Sequence, residues 1–177
     1  MKITVFGGTA AAPASAPYEE ARRLGRLLAQ HGHMVISGGY MGVMEAVSRG
    51  AAEAGGHVVG VTCAEIERWR GSKANPWVLE EWKTETLMDR LVLLMDRCDA
   101  AIALAGGPGT LVEISLLWNR MIIDAVPHKP LILSGDGWKS AFEALFSAQD
   151  SYIGEPQRRL LAFVPSVEAA VASLPQA

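Results

Sequence analysis

The chain has 177 residues, half of them hydrophobic, with a formal net charge of −3. Its length fits one domain spanning residues 1–177, with apolar surface for one core between helical layers. A mildly acidic chain with scattered Arg and Lys lacks the electrostatic footprint for long nucleic acid or an anionic membrane, so any phosphate it binds must be held locally, by backbone N–H groups and a few Arg.

Short apolar runs alternate with longer amphipathic stretches. Ile3 to Phe6 is a strand that runs into Gly7-Gly8-Thr9. Tyr18 to Gln30 places Ala21, Leu24, Leu27 and Leu28 at helical spacing. His33 to Ile36 is the next strand, closed by Ser37-Gly38-Gly39, and a helix starts near Gly42. His57 to Val61 is a third strand. Thr62 to Glu81 reads as a long loop with a short extended piece near Trp77–Trp82; long loops in compact domains are often functional. Helical periodicity returns from Glu85 to Arg97. Asp99 to Leu104 is a strand, Leu111 to Ile123 a strongly apolar helix, Pro130 to Ser134 a strand and Trp138 to Ala148 a helix. Ala162 to Pro165 is a last strand before a helix at Ser166 to Ser173, with Ser166 as N-cap.

Such repetition implies a Rossmann-like, doubly wound parallel sheet with helices on both faces. The glycine turns at 7–9, 38–39 and 105–107 each follow a strand, so all three belong to one sheet edge, where α/β folds bind ligands. The third, Ala105-Gly106-Gly107-Pro108-Gly109-Thr110, combines glycines with a helix start, where free N–H groups and the helix dipole attract an anion. Thr110 can add a hydroxyl. A plainer alternative makes Thr110 the N-cap and Glu113 its capping-box partner. Glu113 lies about one turn into the helix, on the side of Thr110, where a carboxylate can hold ribose hydroxyls or favour positive charge at C1′. The P-loop lysine and the dinucleotide GxGxxG fingerprint are both missing. Cys63 and Cys98 suggest neither a disulfide framework nor a zinc site, and the four His residues have no metal or triad spacing. Glu45, Glu80, Glu81, Glu85 and Asp89 are further acidic residues that can approach the cleft. The apolar run at the start is too short for a signal peptide, and the cytoplasm is the expected location.

Residues 105–113 resemble the PGGxGTxxE motif of the LOG (lonely guy) family, formerly labelled "lysine decarboxylase". Ser37-Gly38-Gly39-Tyr40-Met41-Gly42-Val43-Met44 is similar to its GGxxGxM segment, and Met88-Asp89-Arg90 before Met95 to its Arg-bearing helix. The resemblance implies a homodimeric nucleoside 5′-monophosphate phosphoribohydrolase that releases free base and ribose 5-phosphate. It implies catalytic Arg90 and Glu113, with Gly8, Thr9, Gly38, Gly39, Met88, Gly106, Gly107, Gly109 and Thr110 around the nucleotide. No metal and no cofactor are expected. The chain departs from the family at Leu91, where the family has Lys, and at Ala105, where it has Pro. The alternative reading is a non-catalytic nucleotide or molybdopterin-cofactor carrier of the same fold. A decarboxylase would need pyridoxal phosphate on a lysine. Between residues 3 and 130 only Lys73, Lys83 and Lys129 occur, none in a glycine turn. Whether the apolar Leu116–Ile122 stretch, with Trp118, forms a dimer interface or a central core helix stays open at this level.

Overall fold

The computed structural model describes residues 1–175. The elements run β1 (Lys2–Phe6), α1 (Ala16–Gln30), β2 (Met34–Ser37), α2 (Val43–Glu53), β3 (Val58–Cys63), α3 (Ala64–Arg70), β4 (Glu80–Thr84), α4 (Leu87–Asp96), β5 (Ala100–Ala103), α5 (Pro108–Ile122), β6 (Leu131–Ser134), α6 (Asp136–Ala148), α7 (Glu155–Arg158), β7 (Ala162–Val164) and α8 (Val167–Ala172). The strands form one seven-stranded sheet in the order β4-β3-β2-β1-β5-β6-β7, and every pairing is parallel. The Rossmann-like expectation is borne out.

Alternation along each strand divides the core into two layers. Ile3, Val5, Val35, Ala100 and Ile102 pack with residues of α1, α2 and α8. Phe6, Ile36, Ala101, Ala103 and Leu131 pack with residues of α4, α5 and α6 on the other face. From β1 the chain steps outward through β2, β3 and β4, then crosses back to β5 on the opposite side of β1. That reversal opens a crevice outside the carboxyl ends of β1 and β5, bordered by the first and third glycine turns.

Three stretches differ from the sequence reading. The segment 62–81 is not one long loop: it holds helix α3, and the extended piece is β4 at 80–84 rather than 77–82. Helix α3 has seven residues and buries none of them, so it carries no apolar period to read. Strand β4, Glu-Glu-Trp-Lys-Thr, lies at the sheet edge with charged side chains outward, which blunts the edge and removes the alternation that marks a strand. Helix α5 begins at Pro108 with Gly107 as N-cap, so Thr110 lies inside the first turn and the capping-box alternative is overturned. The short α7 was not anticipated. On α5, Trp118 is buried within the chain: its ring meets Phe142 and Phe146 edge-on, and its Nε1 donates to Gln157 O at 2.8 Å. It is a core residue. Ser166 does cap α8, accepting from Ala169 N.

Candidate functional site

The three glycine turns are joined by backbone bonds. Gly8 N donates to Ala105 O at 3.0 Å, and Val43 N donates to Gly8 O at 2.9 Å. Gly42, with φ +71°, makes the second bond possible, because a Cβ there would lie 2.6 Å from Gly8 O. The starts of α2 and α5 are thereby drawn to the end of β1, and a cleft of about 420 Å³ opens beside them.

On one side of the cleft lies the 105–110 turn. Ala105 to Gly109 are exposed while Thr110 is buried. Among the described residues, the N–H groups of Gly107, Gly109 and Thr110 donate to no protein acceptor, as the first N–H groups of a helix must. Gly8, Thr9, Gly107, Gly109 and Thr110 all line the cleft. An anion there meets free donors and the positive end of a fifteen-residue helix.

Arg90 reaches the same cleft from the first turn of α4, which Thr86 caps by accepting from Asp89 N. The guanidinium is buried and held by main-chain carbonyls: Nε donates to Val61 O at 2.7 Å and Nη2 to Gly38 O at 3.1 Å. Tyr40 lies under it, with Arg90 Cζ 5.6 Å from the ring centroid. Tyr40 is itself fixed, its hydroxyl donating to Cys63 O and accepting from Cys63 N. Nη1 is left facing Glu113 Oε1 at 3.9 Å, an ion pair but too long for a hydrogen bond.

Glu113, on the second turn of α5, is buried. Loss of hydration pushes its carboxyl up to about 7, against the opposing pull of the Arg90 charge. A buried carboxylate facing one cation, and titrating near neutrality, suits acid–base or electrostatic work on a bound molecule.

The other predicted positions fall in two groups. Gly38, Gly39 and Gly106 do not line the cleft. A Cβ on Gly38 would collide with Arg90 Nη2 and Met44 Sδ, so this glycine makes room for the arginine. Met88 lies outside the cleft lining, with 59% of its surface exposed. Its place two residues before Arg90 turns it to a different side of α4. Four of the acidic alternatives have partners elsewhere, Glu45 accepting from Tyr18, Asp89 from Thr86, Glu80 from Trp82 with His57 beside it, and Glu81 from Thr62; Glu85 does not line the cleft. Both cysteines are free and buried, and no group of His, Cys, Asp and Glu among the described residues is placed to hold a metal.

Sequence reasoning missed several lining residues: Tyr40 and Met44 beneath Arg90, and Ile66, Trp69 and Arg70 of α3. It also missed Asn75, whose Nδ2 donates to Gly39 O and Tyr40 O at 3.0 and 2.9 Å and so pins the second turn. A polar residue beside Pro in a Trp-rich stretch was the only local signal. No described helix is long and apolar enough to cross a membrane.

The model of the SLOG cluster4 family matches residues 1–134, the stretch from β1 through β6 that carries all three turns. The chain is 32% identical over 118 residues to an uncharacterized protein of Archaeoglobus fulgidus, covering 67% of this chain and 75% of that one. It is 29% identical over 180 residues to a probable cytokinin riboside 5′-monophosphate phosphoribohydrolase of Oryza sativa subsp. japonica, covering 93% of this chain and 68% of the relative. Among solved structures, the molybdenum cofactor binding protein of the phototrophic bacterium Rippkaea orientalis superposes with a TM-score of 0.75 at 26% identity, over 97% of this chain and 93% of that one.

Proposed function

The chain belongs to the SLOG cluster4 family, and on that premise we propose that it is a phosphoribohydrolase, cleaving nucleoside 5′-monophosphates to free base and ribose 5-phosphate. The observation that carries this reading is the facing pair of Arg90 and Glu113 in one cleft with the open turn at 107–110. The relatives named as cytokinin riboside 5′-monophosphate phosphoribohydrolases support it at modest identity.

In this reading the 5′-phosphate lies on the N–H groups of Gly107, Gly109 and Thr110 and on the Thr110 hydroxyl. Arg90, its Nε and Nη2 committed to carbonyls, offers Nη1 to the phosphate or the sugar without needing to reorganise. Glu113 receives ribose hydroxyls and stabilises positive charge as the C1′–N bond breaks. Water attacks C1′; one of its protons leaves with the base and the other stays on the new 1-hydroxyl. Glu113 works as the carboxylate, so the rate rises with pH as the group ionises near 7.

Two further features belong to the proposal. Exposed Met88 and Val92 on α4 and exposed Leu111 and Val112 on α5 supply an apolar surface for a homodimer. A second reading, a non-catalytic carrier of a phosphorylated cofactor, is favoured by Leu91. This residue is 4% exposed and packs in the core layer with Leu94 and Met95, where the resemblance led one to expect a second cation. The likeness to a molybdenum cofactor binding protein points the same way. A carrier would use the open turn for its ligand's phosphate and would not need Glu113.

Chromatographic base release from AMP, GMP, CMP, UMP and isopentenyl-AMP separates the two. Release by the native protein that falls by about 10²–10⁴ in Glu113→Gln supports the hydrolase. No release from any nucleotide by folded protein, with a thermal shift on adding the same compounds, supports the carrier.

A further inference from the structure

Helix α3 contributes a wall of the cleft that neither the glycine motifs nor the Arg90–Glu113 pair accounts for. Ile66, Trp69 and Arg70 stand at i, i+3 and i+4, hence on one face of the helix, and all three line the cleft. Trp69 is 75% exposed, an open aromatic face at the edge of the cleft. The Arg70 guanidinium lies over its ring, 4.7 Å from the centroid. Other side chains of α3 tie it in place: Glu67 pairs with Lys83 at 2.6 Å, and Glu65 accepts from Leu87 N at 2.7 Å. The helix is thus tethered to β4 and to the start of α4 while its aromatic face stays free.

We infer that Trp69, backed by Arg70, is the stacking surface on which the flat base of the bound nucleotide rests, and that this wall reads ring area rather than the base edge. The inference rests on the nucleotide reading of the same cleft. Stacking on an aromatic face is tolerant of base identity because every base presents a π-face. Edge reading needs free donors and acceptors, and this wall has few. The Tyr40 hydroxyl is already used in both directions by Cys63, Met44, Ile66 and Leu87 have no polar group for a base edge, and Arg70 is a donor only. Trp69 is therefore a base-binding residue, separate from the groups assigned to phosphate and sugar.

The test is calorimetric binding of AMP, GMP and ribose 5-phosphate to Trp69→Phe and Trp69→Ala, all in a Glu113→Gln background so that nucleotide is not consumed. Trp69→Ala is expected to weaken AMP and GMP about tenfold, with Trp69→Phe recovering most of the loss. Ribose 5-phosphate, which has no base, binds all three proteins alike. Unchanged AMP binding in Trp69→Ala overturns the inference. So does an equal loss for ribose 5-phosphate, which marks a merely structural role. Base release by the protein with native Glu113 is measured in parallel. If it is absent while the binding pattern holds, the hydrolase reading falls and this one stands; if release occurs and Trp69→Ala binds AMP normally, the reverse is true.

Discussion

The turns at 37–40 and 105–110 look alike as strings of residues, and each follows a parallel strand, yet they do opposite things. In the first, three carbonyls and one N–H are taken up within the protein. Ser37 Oγ accepts from Gly39 N, Gly38 O is taken by Arg90, and Gly39 O and Tyr40 O are taken by Asn75. In the second, the N–H groups of Gly107, Gly109 and Thr110 remain free, and a Cβ on Gly107 or Gly109 would meet no atom within 4 Å. The closed turn holds a cation in place, and the open turn keeps its donors unpaired within the protein. A glycine cluster marks where the backbone is approached closely; the neighbours decide whether protein or ligand makes the approach.

The largest expected effect tests the open side. Glu113→Gln should lower base release by two to four orders of magnitude or so while circular dichroism stays native. If the protein is the proposed hydrolase, its base release should rise with pH through the ionisation near 7. A flat pH–rate profile between 5.5 and 8.5 would detach the rate from this carboxyl.

Next in size is the dependence of stability on pH. The folded-state pKa of Glu113, about 7, lies above its ordinary value of 4.5, so the folded protein holds the proton more tightly. Its contribution is therefore complete below about 4.5 and is lost as pH rises to about 7, by up to about 3 kcal/mol. Denaturant midpoints should show this decline in the native chain and a shallower one in Glu113→Gln. Parallel curves would mean that water reaches the carboxylate in the cleft.

A matched pair of alanine substitutions then sharpens the contrast between turns. Gly38→Ala drives a Cβ into Arg90 and Met44 and should cost about 1–3 kcal/mol, with activity lost along with stability. Gly109→Ala, whose Cβ meets nothing, should fold normally, shifting stability by at most about 1 kcal/mol. Any defect in it should appear in KM rather than kcat. Equal destabilisation of both would erase the distinction between a closed and an open turn.

Much of the sheet could be read along the chain, because β1, β2 and β5 are short buried runs whose every partner is another buried strand. Arg90, Glu113 and the 105–110 turn could also be picked out, through glycine stereochemistry and family resemblance. Helix α3 and strand β4 could not, since a seven-residue helix with no buried side and a charged edge strand leave no periodic trace. Trp69 was visible only as one tryptophan among several.

The sequence by itself determined the alternation of strand and helix, the placing of three glycine turns on one sheet edge, and the family. These follow from periodicity and backbone stereochemistry, which are properties of contiguous residues. Only the tertiary structure decided which turn is closed and which is open, that Glu113 faces Arg90, and that α3 walls the cleft. Those outcomes depend on groups far apart in the chain: Arg90 bonds to Gly38 across 52 positions, and Asn75 to Gly39 across 36. No local rule specifies which distant side chain will satisfy a given carbonyl, because that partnership exists only once the sheet order has brought the two together.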